Sequence, residues 1–390
     1  MTNLHLLSSA RCLAAMSAAV LTLSCTGSCQ KEDPAETSNE AKYITDSSKL
    51  KMIRSMKNLD GAGGFYELNY TADYKMDKCV NTYQAITLDD LSAFTAKELY
   101  DVPVTKAIDI DYGSGCSAFA AKTPDGKCLM GRNFDFAHPA DIAAVMVRTA
   151  PKNGYKSICM VDAYWIGYEK GFYNDGVTDI SNVMLLPYVL MDGMNEKGLA
   201  VGVLHLDGEP TMQNTGKKKI ATSTAMRYLL ETAEDVEDAI AKLSEFDMNC
   251  TFDNAGNYHF FIADAAGNSA IVEYVYEGDG KYPNTFDPLV GERYVTNFYV
   301  SPKMANHKYG GLSDHGRDRY NKMADSLARH NNILTEEQAM STLKAASQPK
   351  NPEKLTSNTQ WSVVYNLTDL TAKVSTLRNY DKVWSFDLEK

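Results

Sequence analysis

The 390-residue sequence lacks the patterns that mark several common classes of function. Its eight cysteines include no Cys-x-x-Cys pair and its seven histidines no His-x-x-x-His spacing, so we predict neither a metal site nor a cofactor. Basic residues do not cluster beyond Lys217-Lys218-Lys219, and the formal net charge is −11, which argues against a nucleic-acid partner or an anionic membrane surface. An apolar fraction of 44% with 23% charged residues is typical of a globular protein.

The first 42 residues resemble an export signal followed by a linker. Residues 1–24 carry the apolar run "LAAMSAAVLTL", which fits a signal peptide and is too short to span a bilayer. Small residues precede both Cys25 and Cys29, as in a bacterial lipobox, and the sequence leaves open which cysteine would carry lipid. Residues 25–42 are polar and acidic and predict a linker. We therefore expect an exported bacterial lipoprotein, periplasmic or at the outer membrane and cell surface, attached to the membrane only through its N-terminal lipid.

The rest of the chain is predicted to form one layered α+β domain and a pro-segment. Residues 43–115 are too few for a core of their own and are expected to pack, as a pro-segment, on residues 116–390. Strand-like runs dominate after residue 116, interrupted by a helical stretch at 222–246 and by later helices, one with a capping box of Thr335 and Gln338. Strand runs separated by paired helices favour an αββα four-layer sandwich.

One hairpin-like stretch, "CSAFAAKTPDGKCLMGRNFDF" (116–136), carries candidate chemistry. A turn centred on Asp125-Gly126 would place Cys116 opposite Asp135, on the same face of the hairpin. Arg132 would then lie on the other face and would need a β-bulge to reach the cysteine.

The residues before the cysteine suggest why a carboxylate would lie beside it. A carboxylate raises the pKa of a neighbouring thiol, so its useful partner would be an ammonium group. Such a group would form if the bond between Gly115 and Cys116 were cut, and glycine tolerates the strained backbone that this reaction needs.

The same stretch resembles the start of the mature chain in N-terminal-nucleophile hydrolases of the choloylglycine hydrolase superfamily. That superfamily includes bile salt hydrolases, penicillin V acylases, acid ceramidase and N-acylethanolamine amidase. Four later segments are similar to it in the same order: "DGMNEKGLAVGVLHL", "YVTNFYV", "GRDRYNKM" and "TQWSVVYNLTDLTAKV". The resemblance spans residues 116–390 and implies the αββα fold of these enzymes.

The resemblance also implies a catalytic set, which consists of Cys116, Arg132, Asp135, Asn195, Asn297 and Arg319. Cys116 would be the nucleophile after autocatalytic cleavage, its α-amine would be the base, and Asp135 would orient that amine. Asn195 and Asn297 would donate to the oxyanion, although a turn-forming role for Asn195 stays open. Arg319 fits the late arginine of the superfamily better than Arg317 does.

The implied function is hydrolysis of a linear amide of a small N-acyl compound. The Asn-Glu-Lys-Gly-Leu match favours conjugated bile acids, whereas the short catalytic chain and long pro-segment favour N-acylethanolamines or ceramides; penicillin V is a further alternative. A non-enzymatic surface-binding lipoprotein with the same fold is the competing class, and a homo-oligomer remains open.

Overall fold

The computed structural model of the protein describes residues 39–103, 114–136, 142–249, 257–310, 314–351 and 358–390. The predicted signal peptide and both candidate lipid-bearing cysteines lie outside the described residues. The end of the predicted linker, from residue 39, is described. The Asn39 side chain is buried and donates to the carbonyls of Phe172 and Thr178 at 2.7 and 2.8 Å. Residue 39 is therefore part of the folded body.

The described strands form two large sheets and a small one. In chain order they are β1 (Lys57–Asn58), β2 (Phe65–Tyr70), β3 (Ser114–Lys122), β4 (Cys128–Phe136), β5 (Ala144–Thr149), β6 (Ser157–Asp162), β7 (Leu190–Asn195), β8 (Ala200–Leu206), β9 (Lys218–Ala221), β10 (Phe246–Asn249), β11 (Asn257–Ala263), β12 (Ser269–Val275), β13 (Thr285–Val290), β14 (Tyr294–Val295), β15 (Thr359–Asn366), β16 (Thr371–Thr376) and β17 (Trp384–Asp387). The larger sheet has the order β1-β2-β5-β6-β7-β8-β11-β12-β13, the second β14-β3-β4-β15-β16-β17, and β9 pairs with β10.

The helices cover the outer faces of the two large sheets. They are α1 (Ser47–Ile53), α2 (Met76–Lys78), α3 (Leu88–Glu98), α4 (Thr222–Thr232), α5 (Val236–Ser244), α6 (Asp314–Arg329) and α7 (Glu336–Ala346). Helices α4 and α5 pack on the larger sheet, α6 and α7 pack on the second, and β3 contacts β8 and β11 across the middle. This is the αββα sandwich that the sequence predicts. Among the described residues no helix is long and apolar enough to cross a membrane.

The side chains of β3 and β4 alternate between two buried cores, one on each face of the hairpin. Cys116 and Phe134 belong to the core between the two sheets, whereas Phe119 and Leu129 belong to a second core beneath α6 and α7. Every residue of β4 is buried. Side chains that point to either face of this hairpin are therefore shielded from water.

The segment before Cys116 shares the main core. Strand β2 pairs in parallel with β5, and its Phe65 and Leu68 are fully buried in the same cluster as the rest of the larger sheet. Two local predictions are confirmed: the stretch at 222–246 is helical and contains α4 and α5, and α7 begins with the capping box of Thr335 and Gln338. The predicted pro-segment thus supplies an internal strand of the larger sheet.

Candidate active site

The hairpin that carries Cys116 has a register one residue away from the predicted one. Cys116 pairs with Phe134, and Asp135 pairs with Gly115. The hairpin closes at Thr123 and Lys127, where the Thr123 amide donates to the Lys127 carbonyl at 2.7 Å. The prediction that Cys116 lies opposite Asp135 is therefore wrong, and a one-residue shift moves every following side chain to the other face.

Arg132 consequently lies on the same face as Cys116, and the predicted β-bulge is not needed. The β3–β4 pairing is regular, and the Arg132 guanidinium Nη2 lies 3.4 Å from the Cys116 sulfur. Both side chains are buried between the two sheets. Arg132 thus places a positively charged group next to the Cys116 thiol.

Arg132 contacts groups on two other strands, and a third strand holds one of those groups in place. Its Nη2 donates to the Val203 carbonyl of β8, and its Nε lies 3.4 Å from a carboxylate oxygen of Asp192 on β7. Asp192 is fully buried and accepts hydrogen bonds from Trp361 (3.0 Å) and Tyr365 (2.6 Å) of β15. The sequence analysis missed Asp192, although it lies three residues before Asn195 in a segment that the analysis singled out.

Asp135 points to the other face of the hairpin, towards α6 and the loop after α7. Its carboxylate accepts hydrogen bonds from Thr359 (2.5 Å) and Gln348 (2.8 Å), and the Arg319 guanidinium lies 3.5 Å away. Burial raises the pKa of Asp135, whereas Arg319 and the two hydrogen bonds oppose that rise. The carboxylate is therefore fixed in place beside the Gly115–Cys116 segment.

Arg319 and Asn297 meet at the backbone of Cys116. Arg319 donates from Nη1 to the Cys116 carbonyl and from Nη2 to the Asn297 side-chain oxygen at 2.7 Å. The same Asn297 oxygen accepts the Cys116 backbone N–H at 2.6 Å, and its amide nitrogen donates to the His205 carbonyl at 2.7 Å. Arg319 is buried and Arg317 exposed, so the structure brings the first of the two candidate arginines to this site.

The surroundings keep the Cys116 thiol neutral while the chain is continuous. Burial raises the pKa of the thiol, Arg132 opposes the rise and Asp135 adds to it. Only 2% of the residue is exposed. A base next to the sulfur would therefore be needed to ionise it.

Asn195 is not brought to this site. Its amide nitrogen donates to the carbonyls of Leu230 (3.1 Å) and Ala233 (2.8 Å) at the end of α4, and its oxygen accepts from the amides of Lys197 and Leu199. All of these contacts belong to the turn between β7 and β8 and to the helix end. The oxyanion role predicted for Asn195 does not fit them, and the turn-forming role does.

Among the described residues, no group of three or more histidine, cysteine, aspartate or glutamate side chains could hold a metal ion.

Comparison with known proteins identifies relatives by family and by fold. The family model for acyl-coenzyme A:6-aminopenicillanic acid acyl-transferase matches residues 178–380, a range that contains Asn297 and Arg319. Curated protein sequences give no significant match.

Solved structures resemble the chain at low sequence identity. A mutant of conjugated bile acid hydrolase from Clostridium perfringens is 15% identical, with a TM-score of 0.50, over 70% of this chain and 92% of that chain. Penicillin V acylase from Agrobacterium tumefaciens is 18% identical, with a TM-score of 0.50, over 70% of this chain and 87% of that chain. The protein belongs to the acyl-coenzyme A:6-aminopenicillanic acid acyl-transferase family, within the superfamily of choloylglycine hydrolases and penicillin acylases.

Proposed function

We propose that the protein is a self-processing cysteine amidohydrolase that cuts its own chain between Gly115 and Cys116 and then hydrolyses linear amides. One observation supports this above all others. The Cys116 sulfur lies beside a buried guanidinium on one face of β3, and its backbone nitrogen lies among Asn297, Arg319 and Asp135 on the other side. A structural cysteine has no use for that second group of side chains.

Self-cleavage proceeds by attack of the Cys116 sulfur on the carbonyl carbon of Gly115. The peptide C–N bond breaks, the thiol proton passes to the departing nitrogen, and a thioester links Gly115 to the sulfur. Water then hydrolyses the thioester, which leaves a Gly115 carboxylate and a free α-amine on Cys116. Positioning within one chain can supply much of the rate acceleration, because both reacting groups belong to adjacent residues.

In the cleaved enzyme the new α-amine serves as the base. Its ordinary pKa of roughly 7.7–8.0 suits proton transfer near neutral pH. The amine takes the thiol proton, the sulfur attacks the substrate carbonyl, and the amine then protonates the leaving nitrogen. Water then hydrolyses the acyl thioester, which releases the acid and restores the Cys116 thiol. Asp135, which pairs with Gly115 next to the cut bond, holds the ammonium.

The side-chain nitrogen of Asn297 is the donor for the oxyanion. The side-chain oxygen accepts the Cys116 N–H and an Arg319 N–H, and the nitrogen donates one hydrogen to the His205 carbonyl, which fixes the orientation of the amide. The second hydrogen on this nitrogen would donate to the oxyanion. A donor fixed in advance stabilises the developing negative charge without reorganising during the reaction.

The substrate is a small N-acyl amide with a bulky apolar acyl group. Phe134 shares the face of Cys116 and stacks on Trp361 with ring centroids 4.3 Å apart, and Phe136 packs against Trp165 at 5.2 Å. Conjugated bile acids are the first candidates, because one similar fold belongs to a conjugated bile acid hydrolase. N-acylethanolamines, ceramides and penicillin V are the alternatives.

Intact mass and a substrate panel test the proposal. Purified wild-type protein should contain a chain that begins at Cys116, and Cys116→Ala should remain one uncut chain without activity. Because β2 is an internal strand, the segment before Cys116 should co-purify with the cleaved enzyme. The panel contains glycine- and taurine-conjugated bile acids, fatty-acid ethanolamides, ceramides and penicillin V. An uncut wild-type chain, or one that hydrolyses none of these amides, would contradict the proposal and favour a binding protein.

We further propose that the chain is exported and lipidated at Cys25 or Cys29. Metabolic labelling with a fatty acid, compared among the wild type, Cys25→Ala and Cys29→Ala, identifies the modified cysteine. Labelling of neither would contradict this proposal.

A further inference from the structure

A histidine and a glutamate are buried together behind the Asn297 segment. His259 lies on β11 and Glu273 on the adjacent strand β12, and both are fully buried. The ring nitrogen Nδ1 of His259 lies 3.1 Å from the carboxylate oxygen Oε1 of Glu273. The other ring nitrogen, Nε2, lies 2.9 Å from the carbonyl oxygen of Thr296, the residue before Asn297.

The partners of these two groups determine where the hydrogens are. A carbonyl oxygen can only accept, so Nε2 must carry a hydrogen to bond to Thr296. Glu273 accepts the Val300 amide on Oε1 at 2.8 Å and the Ser301 amide on Oε2 at 3.0 Å, so both oxygens already act as acceptors. Nδ1 and Oε1 then share the remaining hydrogen of the pair, so His259 and Glu273 form one buried, hydrogen-bonded unit.

These contacts fix the segment of Asn297 at both ends. His259 holds the peptide that precedes Asn297, and Glu273 holds the amides of Val300 and Ser301 that follow it. Between these points, the Asn297 oxygen accepts the Cys116 N–H. Removing either partner would leave a buried polar group without its hydrogen bond, which favours keeping the pair intact.

We propose that His259, held by its hydrogen bond to Glu273, positions Asn297 for both self-cleavage and amide hydrolysis. Both residues are positioning residues, since they touch neither Cys116 nor a substrate in the described contacts. The inference rests on the proposed function, because it concerns the same site.

Other titratable groups face this pair from neighbouring elements. His205 on β8 is near the ring; burial lowers the pKa of His205, and the carboxylate of Asp207 opposes this. Asp287 on β13 accepts from the Ser301 hydroxyl at 2.6 Å and contacts Lys303 at 2.5 Å. Arg319 on α6 lies on the other side of Asn297. Glu273 is the acidic side chain in direct contact with the ring.

Nuclear magnetic resonance tests this arrangement without any need for activity. Long-range ¹H–¹⁵N spectra of the uncut Cys116→Ala protein, labelled with ¹⁵N-histidine, report which ring nitrogen of each histidine carries hydrogen. The signal that is missing in His259→Gln should belong to a ring with hydrogen on Nε2, the nitrogen that faces the Thr296 carbonyl. Hydrogen on Nδ1 alone would overturn the proposal. If His259→Gln fails to fold, Glu273→Gln must alter the same signal.

Kinetics test the positioning role. Glutamine at 259 has one side-chain amide in place of two ring nitrogens, so it does not bridge Glu273 and Thr296 as the imidazole does. His259→Gln should reduce kcat by about tenfold to a hundredfold, with little change in KM, because a small displacement of Asn297 weakens the transition state more than binding. The matched control is His330→Gln, since His330 contacts the Ser326 carbonyl at the end of α6 and should leave kcat unchanged.

The two proposals fail in distinguishable ways. A wild-type protein that neither cuts itself nor hydrolyses an amide contradicts the proposed function, while the spectra still decide the state of His259. A working wild type with an unchanged kcat in His259→Gln leaves the function intact and overturns the positioning role.

Discussion

The two faces of the β3–β4 hairpin each carry a buried arginine beside a buried carboxylate, but in opposite electrostatic settings. On the inner face, burial works against the charge of Arg132, yet the Cys116 thiol and Asp192 together raise its pKa. On the outer face, burial lowers the pKa of Arg319, and Asp135 only partly offsets this. One face therefore places a guanidinium beside the sulfur, whereas the other surrounds the backbone nitrogen that cleavage would turn into an amine.

This division follows from the geometry of a strand. Side chains alternate between faces, but the backbone nitrogen of Cys116 lies in the plane of the sheet and can be reached from both. A nucleophile and its amine can thus be held by two separate sets of residues. The predictions below ask whether the two faces act independently.

The largest effect is expected for Asp192→Asn on the inner face. Asp192 is the buried carboxylate next to Arg132, and its loss leaves that guanidinium without a counter-charge. We expect the free energy of unfolding, measured in urea near neutral pH, to fall by about 3–5 kcal/mol. The control is Asp369→Asn, which removes an exposed ion pair with Lys127 and should cost less than about 1 kcal/mol. Equal losses in the two variants would show that Arg132 does not depend on Asp192.

The next effect is expected for Asn297→Ala, on the side of the amine. Loss of the oxyanion donor should raise the activation free energy by about 3 kcal/mol, a decrease in kcat of at least about a hundredfold. The measurement is kcat for the best amide of the panel, with processing followed by intact mass.

Asn133→Ala is the matched control for Asn297→Ala. Asn133 is buried on the same outer face, but its side chain bonds to the Leu343 carbonyl and to Ser362, away from Cys116. The Asn133→Ala substitution should lower the free energy of unfolding and leave kcat largely unchanged. A similar loss of kcat in both variants would mean that Asn297 acts only through the fold.

The sequence predicts the hairpin at Cys116 but not its register, for a local reason. The strongest turn signal, Asp125-Gly126, suggests a two-residue turn, whereas the Lys127 amide donates to the Thr123 side-chain oxygen at 2.9 Å and the hairpin closes around a longer loop. Gly126 still supplies a positive φ of 87°. A single side-chain hydrogen bond thus decides which residues share a face with Cys116.

Long-range partners explain the other differences. Arg132, Asp192 and the pair Trp361 and Tyr365 come from three distant parts of the chain, so no local pattern marks Asp192 as a site residue. Asn195 was assigned from the resemblance alone, and its contacts to α4 depend on how that helix packs. The layers of the fold, by contrast, follow from strand and helix patterns that are local.

A smaller effect is expected for Gly202→Ala on β8, opposite the inner face. A methyl group at this position would lie 2.8 Å from Arg132 Nε and 2.9 Å from its Cδ, so the guanidinium would have to move. Overpacking of this kind should lower the free energy of unfolding by about 1–3 kcal/mol. Self-cleavage should also slow, because Arg132 shifts away from the sulfur. Gly64→Ala is the control, because its new methyl would meet the carboxylate end of the Asp60 side chain. Unchanged cleavage in Gly202→Ala would show that the Arg132 position is not critical.

The smallest effect concerns the outer face and its response to pH. The Thr359 hydroxyl donates to Asp135, and this hydrogen bond favours the ionised carboxylate and lowers its pKa. In Thr359→Val the bond is lost, so the pKa of Asp135 rises and the carboxylate becomes protonated at higher pH. A protonated Asp135 cannot hold the ammonium of Cys116, so the acid limb of kcat/KM should move to higher pH. One hydrogen bond is worth about 1 kcal/mol, which limits the shift to less than about one pH unit.

Thr359→Ser keeps the hydroxyl and should restore the wild-type profile. Thr342→Val is the control, because that hydroxyl bonds to the Gln338 carbonyl within α7 and to the Ser326 hydroxyl of α6, not to Asp135. An acid limb that stays in place, or moves to lower pH, would mean that Asp135 is not the group that holds the amine.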